Sequence, residues 1–396
     1  MMPYRVLFVH NRYLQRGGED VEFEAEKRLM ESRGHDVSTC IADNQELLAM
    51  PPHRILATAI WSRAGYARVR DAVRKFRPDI VHFHNTFAVI SPASLWACEN
   101  ATGPRPAVVQ SLHNYRIGCP AGPLCREGRA CTTCLSKYFA WPAVLRACYH
   151  HSRSKSLAVA VMSTVHRCLR TWKGRVDAFI ALTHFARALH IRTGLPSERI
   201  FVKPNFPGIS GPAGAGGGGF ALFVGRLAPE KGIQVLLDAW RRVGTQIPVL
   251  IAGNGPLAAT VENCGIANVR YLGSKSSQDV FSLMQNAEFL VVPSTQVENF
   301  GLVLAEGFAA GCPSIASRIG ALEELTSHRQ TGLLFEPGNP TALAESVEWA
   351  VRHPEILRKM RLSARAEFEA KYTPERNYDM TMAIYGRALT RARAAA

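Results

Sequence analysis

Short apolar runs alternate with amphipathic stretches along the 396 residues. Val6–Val9, Ile80–Phe83, Ala107–Leu112 and Ala178–Leu182 predict buried strands. Glu19–Arg33 and Ile55–Phe76 predict helices between the first two. This βαβα order implies parallel sheet with helices on both faces. A second set follows, with strands expected at Ala221–Val224, Val249–Ala252, Val269–Leu272 and Phe289–Val292. Its helices are expected at Gly232–Val243, Ser277–Gln285, Leu302–Ala310 and Thr341–Arg352, and a last helix at Pro374 to Ala395. Between the sets, Gly208 to Gly219 holds seven Gly and one Pro, the composition of a flexible hinge. The pattern predicts an α/β fold of two doubly wound lobes. Ligands of such sheets sit at the carboxyl ends of strands, at the switch point, so two facing lobes would form a cleft.

Composition narrows the class. Hydrophobic residues are 47% and charged residues 20%, which excludes a disordered chain, a collagen and a coiled coil. Ten Cys are too sparse for a disulfide minidomain. Residues 1–207 carry 29 Lys+Arg and 15 Asp+Glu, and residues 208–396 carry 18 and 17, so +14 of the net +15 lies in the first half. Something anionic is expected to face that half: nucleic acid, an acidic membrane surface or a phosphate-bearing substrate. The apolar run in Met1 to His10 is short for a secretory signal and contains Arg5. Ile80 to Cys98 lacks charge but contains His82, His84, Asn85 and Pro92, so no span is expected. A cytoplasmic protein, soluble or peripheral at the inner membrane face, is the expectation. The sequon Asn100-Ala101-Thr102 is then read as chance.

Four stretches carry chemistry. Arg226 and Lys231 lie in the loop after Ala221–Val224, beside a helix start, where two cations can clamp a diphosphate. Glu298 and Glu306 flank the start of Leu302–Ala310, where carboxylates can accept paired hydroxyls. Backbone N–H groups of Asn299–Leu302 can hold phosphate oxygens there. Arg16-Gly17-Gly18-Glu19 follows the first strand, allowing close backbone approach, although a plain tight turn fits as well. His113 and Asn114 end a strand and point toward the ligand side. His82 and His84 share a strand face like a metal pair, but with no acidic third ligand nearby in sequence no metal is expected.

Together these residues resemble the retaining GT-B glycosyltransferases of family 4 over nearly the whole chain. The resemblance rests on Gly225-Arg226…Lys231-Gly232, Ala252-Gly253-Asn254-Gly255-Pro256, Val292-Pro293-Ser294, and Glu298 and Glu306 followed by Ala309-Ala310-Gly311-Cys312-Pro313. Lys203-Pro204-Asn205 matches the family's hinge signature. Ala321 and Asn254 depart from it: Ala321 replaces a usual Gly before Glu324, and Asn254 stands where an acid is common. The resemblance implies an acceptor-binding lobe at 1–205 with a Cys-bearing insert at about 115–150, a hinge at 206–219, a nucleotide-sugar lobe at 220–372, and a helix at 373–396 returning to the first lobe. It implies that Arg226 and Lys231 hold the donor diphosphate, Glu306 the ribose and Glu298 the sugar. Gly225, Gly253, Asn254, Gly255 and Leu272 would surround the nucleotide, with Asn205 and the Asn299-Phe300-Gly301-Leu302 turn. Gly17 and Gly18 would approach the diphosphate, and His113 would sit next to the transferred sugar. No cofactor is expected for catalysis, because the two cations supply the charge. The donor would be linked to UDP or GDP, and the acceptor would be a lipid-linked or other saccharide in the setting of a surface polysaccharide or glycolipid.

Two features fall outside the motifs. Cys119, Cys131, Cys134 and Cys148 have the spacing of a four-thiolate structural zinc site, with Cys125 to spare. Unligated thiols or an inducible disulfide are the alternative. Gly128 to Val176 lacks Asp and Glu but carries nine Lys+Arg with interleaved apolar residues, and Arg54 to Arg77 forms a second basic run. Both read equally as amphipathic helices on an anionic leaflet or as ordinary solvated faces. Rival functions are a GT-B nucleotide-sugar epimerase, which the glutamate pair disfavours, and a nucleic-acid-binding protein. The second lacks any recognised motif or stacking platform.

Overall fold

The alternation of strands and helices is present throughout the computed structural model, which describes residues 3–14, 17–98, 105–244 and 246–394. Arg16 and the sequon at 100–102 lie outside the described residues. The strands are β1 Arg5–Arg12, β2 Asp36–Asp43, β3 Ile80–Phe83, β4 Ala107–Ser111, β5 Cys125–Arg126, β6 Arg129–Ala130, β7 Ala178–Ala181, β8 Ile200–Val202, β9 Ala221–Val224, β10 Val249–Ala252, β11 Val269–Gly273, β12 Phe289–Val292, β13 Ser314–Ser317 and β14 Gly332–Phe335. The helices are α1 Gly18–Ser32, α2 Pro52–Ile60, α3 Arg63–Phe76, α4 Trp141–Leu145, α5 Arg153–Cys168, α6 Thr171–Arg175, α7 His184–Arg192, α8 Ile233–Val243, α9 Ala258–Glu262, α10 Ser277–Asn286, α11 Leu302–Ala309, α12 Ala321–Leu325, α13 Pro340–Arg352, α14 Pro354–Lys371 and α15 Pro374–Ala394.

The chain divides into two compact units. One comprises Met1–Leu124, Cys131–Lys203 and Asn377–Ala396, the other Cys125–Ala130 and Pro204–Arg376. The first holds a sheet ordered β2-β1-β3-β4-β7-β8, the second a sheet ordered β11-β10-β9-β12-β13-β14. Among the described residues every ladder of both sheets is parallel. Val6 to Val9 on β1 are fully buried on both strand faces, as helices on both sides require. In the first unit Val6, Phe8, Ile80 and Val109 pack with Met382, Ile384 and Tyr385 of α15. In the second, Leu236, Leu237 and Trp240 of α8 pack with Phe289, Val291 and Ile315.

Three expectations change. The helix expected over Ile55–Phe76 is two helices, because Ser62 accepts from the Gly65 N–H at 2.9 Å and starts α3 afresh. The half-polar edge strand β2 and the serine-bearing β13 give no clear apolar run, so their sequences do not announce them. The glycine-rich stretch is not a free hinge over its length. Gly214, Gly216 and Gly218 donate to the carbonyls of Ala310, Gln285 and Asn286 at 2.8–3.0 Å. A Cβ at Gly214 would lie 2.1 Å from the Gln285 carbonyl oxygen, so the glycine there permits close packing.

Candidate functional site

In the second unit the chain turns one way from β9 to β10 and the other way to β12, so the β9 and β12 ends frame the switch point. The β9 loop carries Arg226 and Lys231, and the β12 loop carries Ser294 and Glu298. Gly232 brings these loops together. Its φ is +74°, and a Cβ there would lie 1.8 Å from the Pro293 carbonyl oxygen. Lys231 Nζ donates to Glu298 Oε1 at 2.5 Å, and Ser294 Oγ donates to the same oxygen at 2.8 Å. Burial alone would push the Glu298 carboxyl up, but Lys231 and Ser294 together hold it below the usual carboxylate range. Arg226 is more exposed and donates to Glu230.

Each of the two cations expected at the diphosphate already holds a carboxylate. An ammonium has three N–H donors and a guanidinium five, so both keep donors for phosphate oxygens. Ser294 and Glu230 are partners that the motif reading did not assign. Glu306 lies one turn into α11, where burial pushes its carboxyl up to about 7. Gly301 is the N-cap of α11 and Leu302 its first residue, with Asn299 and Phe300 just before.

The neighbouring strand ends complete this rim. Gly225 N–H donates to Ala252 at 3.1 Å, Leu227 N–H to Asn254 at 2.9 Å and Gly253 N–H to Gly273, beside Leu272, at 2.9 Å. Asn254 Oδ1 accepts from Gly255 N–H at 2.7 Å. Asn205 is buried, and among the described residues its Oδ1 has no hydrogen bond. The fold thus gathers the residues expected around a nucleotide on β9 to β12, apart from Asn205.

In the first unit β1 and β3 are the corresponding switch strands. Gly17 N–H donates to Asp20 Oδ2 at 2.8 Å at the start of α1. A Cβ on Gly17 or Gly18 would meet nothing within 4 Å, so open space lies beside that helix start. His113 and Asn114 follow β4. Asn114 Nδ2 donates to Glu19 Oε1 at 3.0 Å. His84, His113, Asn114 and Arg116 line a cavity of about 40 Å³.

Behind this cavity is a buried polar cluster that the sequence reading missed. Glu26 of α1 accepts from Lys203, and Lys203 Nζ also donates to Asn377 of α15 at 3.2 Å. Glu26 Oε2 faces His84 Nε2 at 3.5 Å and His82 Nδ1 at 3.8 Å. Burial pushes His82 down to about 4 and His113 to about 3, so both rings are neutral at neutral pH. No acid stands near His82 and His84 in sequence, but the fold brings one to them. Glu26, distant in sequence, brings a carboxylate, and one atom from each of the three lies within 4.8 Å of the others. The Lys203 ammonium already supplies a positive charge to that carboxylate. The available signal was Glu22 and Glu26 on the same buried stripe of α1 as Phe23 and Met30.

The Cys segment is irregular. Leu124, Glu127, Ala147, His150 and His151 have φ near +50°, a conformation costly for residues with a Cβ. Burial pushes the Cys134 thiol up to about 11, and Cys119, Cys131 and Cys148 add to it. Cys134 packs with Ala140, Ala143 and Ala160, and Cys148 lies against that group.

Two units, each built on a parallel doubly wound sheet, match the GT-B glycosyltransferase fold. The family profile described as Glycosyltransferase Family 4 matches residues 12–206, and that of Glycosyl transferases group 1 matches residues 213–367. The D-rhamnosyltransferase WbpZ of Pseudomonas aeruginosa is 36% identical over 160 residues, covering 39% of this chain and 42% of that protein. A phosphatidyl-myo-inositol mannosyltransferase of Mycobacterium leprae is 30% identical over 242 residues, covering 57% of this chain and 62% of that protein. The Anabaena Alr3699/HepE crystal structure in complex with UDP has a TM-score of 0.66 at 17% identity, covering 96% of this chain and 99% of that chain. The chain belongs to the group 1 glycosyltransferases, and the match spans 42% and 62% of the length of those two curated relatives.

Proposed function

We propose that the protein is a retaining glycosyltransferase that moves a sugar from a UDP- or GDP-linked donor to a lipid-linked saccharide acceptor, in polysaccharide or glycolipid synthesis. The pairing of Lys231 with Glu298 at the β9 and β12 ends carries this reading. One side chain would hold the diphosphate and the other the sugar hydroxyls. The sugar–phosphate bond breaks, and the acceptor oxygen bonds the anomeric carbon from the same face. The acceptor's proton goes to the leaving diphosphate. Negative charge grows on that leaving group, where Arg226, Lys231 and the α11 start would stabilise the transition state. Side-chain cations do here what a divalent metal would otherwise do. Glu306 would hold the ribose, and His113, Gly17 and Gly18 of the first unit would serve the transferred sugar and diphosphate. The names of the relatives, a rhamnosyl- and a phosphatidyl-inositol mannosyltransferase, support sugar transfer and a lipid-linked acceptor. The test is incubation of nucleotide-sugars with lipid-linked acceptors, reading the anomeric configuration of the product by NMR. Retention is expected, and inversion would overturn the mechanism.

Membrane contact is part of this proposal. The helices of the two basic runs have different surroundings. The apolar side of α3, with Val69 and Val73, is buried, so α3 is an ordinary packed helix. By contrast, α2 and α4 both pack on α5, and this group leaves Leu56, Trp61, Trp141, Leu145 and Leu157 exposed. The exposed Arg54, Arg146, Arg153 and Lys155 stand among them. Apolar anchors with a basic surround fit an anionic leaflet. Among the described residues no helix is long and apolar enough to cross a membrane. Co-sedimentation with anionic vesicles should be salt-sensitive and weakened in Trp141→Ser/Leu145→Ser. Equal binding to neutral vesicles would contradict it.

The Cys segment is proposed to hold a structural zinc through Cys119, Cys131, Cys134 and Cys148. Left-handed backbone at Leu124, Glu127 and Ala147 costs free energy that a metal cross-link would offset. Four thiolates leave no open position, so the metal would take no part in transfer. Protein purified without added zinc should contain about one zinc per chain, and chelation should unfold the segment. Zinc below about 0.2 per chain in folded protein would reject the site.

A further inference from the structure

His113 has two ring nitrogens, and its chemistry depends on which one carries the proton. Its Nε2 lies 3.1 Å from His84 Nδ1, and the rings stack with an interplanar angle of 19°. The other nitrogen of His84, Nε2, is buried without a hydrogen bond among the described residues, as is Glu26 Oε2, and the two atoms face each other at 3.5 Å. His82, the other ring beside that carboxylate, has both nitrogens occupied. Its Nδ1 pairs with Tyr385 Oη and its Nε2 with Ser111 Oγ, each at 2.9 Å. His84 is therefore the ring with a nitrogen left for Glu26.

The charge on Glu26 decides the order of protons. Burial alone would raise its carboxyl, but the Lys203 ammonium holds it low. Glu22 beside it is pushed well up by burial and by Glu26, so Glu22 carries the proton of the pair. A lone pair on His84 Nε2 facing the Glu26 carboxylate would be repulsive in a dry interior, whereas an N–H there is attracted. His84 is neutral, since burial pushes it well down, so it holds only that one proton. Its Nδ1 is then an acceptor, and His113 must donate to it from Nε2.

We propose that Glu26, acting through His84, holds His113 in the Nε2–H tautomer and leaves Nδ1 as the acceptor that His113 offers to a sugar hydroxyl. Glu26 and His84 are positioning residues in this arrangement. Lys203 and the Asn377 side chain fix Glu26 from the far side, which ties the terminal helix α15 to the state of His113. The inference rests on His113 being the histidine next to the transferred sugar.

Histidine ¹⁵N NMR on the full chain tests it, with the His113 signals assigned by difference from His113→Gln. The wild-type ring should show a protonated Nε2 and a bare Nδ1. In His84→Phe the proton should move in part to Nδ1, and kcat should fall roughly 10-fold or more with the donor KM little changed, as for a histidine losing its tautomer control. His84→Asn, whose Oδ1 can still accept from His113 Nε2, should keep most of the activity. A wild-type His113 protonated on Nδ1 would overturn the proposal, and that measurement needs no variant at site 84 to fold. Equal loss in His84→Asn and His84→Phe, with normal melting and nucleotide binding in both, would also overturn it. Full activity of His113→Gln would reject the active-site reading of His113 instead, leaving the tautomer result to stand separately.

Discussion

Lys231→Ala is expected to lower turnover by ~10² or more, as loss of a preplaced charge at a developing anion does. The effect has two parts. The ammonium is lost from the leaving diphosphate, and Glu298 loses the partner that keeps its buried carboxyl ionised. The sign follows from that second part. With Lys231 present, the Glu298 carboxyl is held below its usual range. Without it, burial raises the carboxyl, so the acid limb of the pH–rate profile should move to higher pH. Arg226 is the more exposed cation, and Arg226→Ala should show the turnover loss without the same shift in the limb. Steady-state kinetics from acid to neutral pH would show both. Near wild-type activity in purified Arg226→Ala/Lys231→Ala would refute the diphosphate clamp.

Lys203→Met is expected to destabilise the first unit by about 3–5 kcal/mol, the cost of removing one partner from a buried ion pair. Lys203 and Glu26 are both buried. Once Lys203 is gone, the Glu26 carboxylate faces His82 and His84 without a cation. Replacing both partners, in Lys203→Met/Glu26→Leu, should recover most of the loss, because an apolar pair has no charge to desolvate. The pH dependence has a definite sign. The folded Glu26 carboxyl is held low, so its contribution is present above the unfolded carboxyl range and is lost as pH falls through the folded value. Thermal melts of the single and double variants at neutral and acid pH check this. A single variant as stable as wild type would show that the pair does not hold the unit together.

These two predictions differ in how far the sequence revealed them. Arg226, Lys231, Glu298 and Glu306 lie within one βα loop, or one loop and its helix, so their order and spacing are visible in the chain. The pairing of Lys231 with Glu298 is not, because it joins loops 67 residues apart. Glu26 and Lys203 are 177 residues apart, and only tertiary packing brings them to His82 and His84. The α2–α3 break was written in Ser62 as a cap but was hidden by an apolar pattern that runs on past it. The glycine stretch shows the opposite error. Its composition suggests freedom, but the backbone at Gly214 packs too closely for a Cβ.

The most direct test of the central claim is the response of the purified chain to nucleoside diphosphates and their sugar conjugates. Wild-type protein at one hundred times Kd of UDP or GDP should gain about 2.7 kcal/mol in unfolding free energy. The gain should be lost in Lys231→Ala. Folded wild-type protein that gains nothing from UDP, GDP or ADP, or from any of their sugars, would contradict a nucleotide-sugar donor site in the second unit.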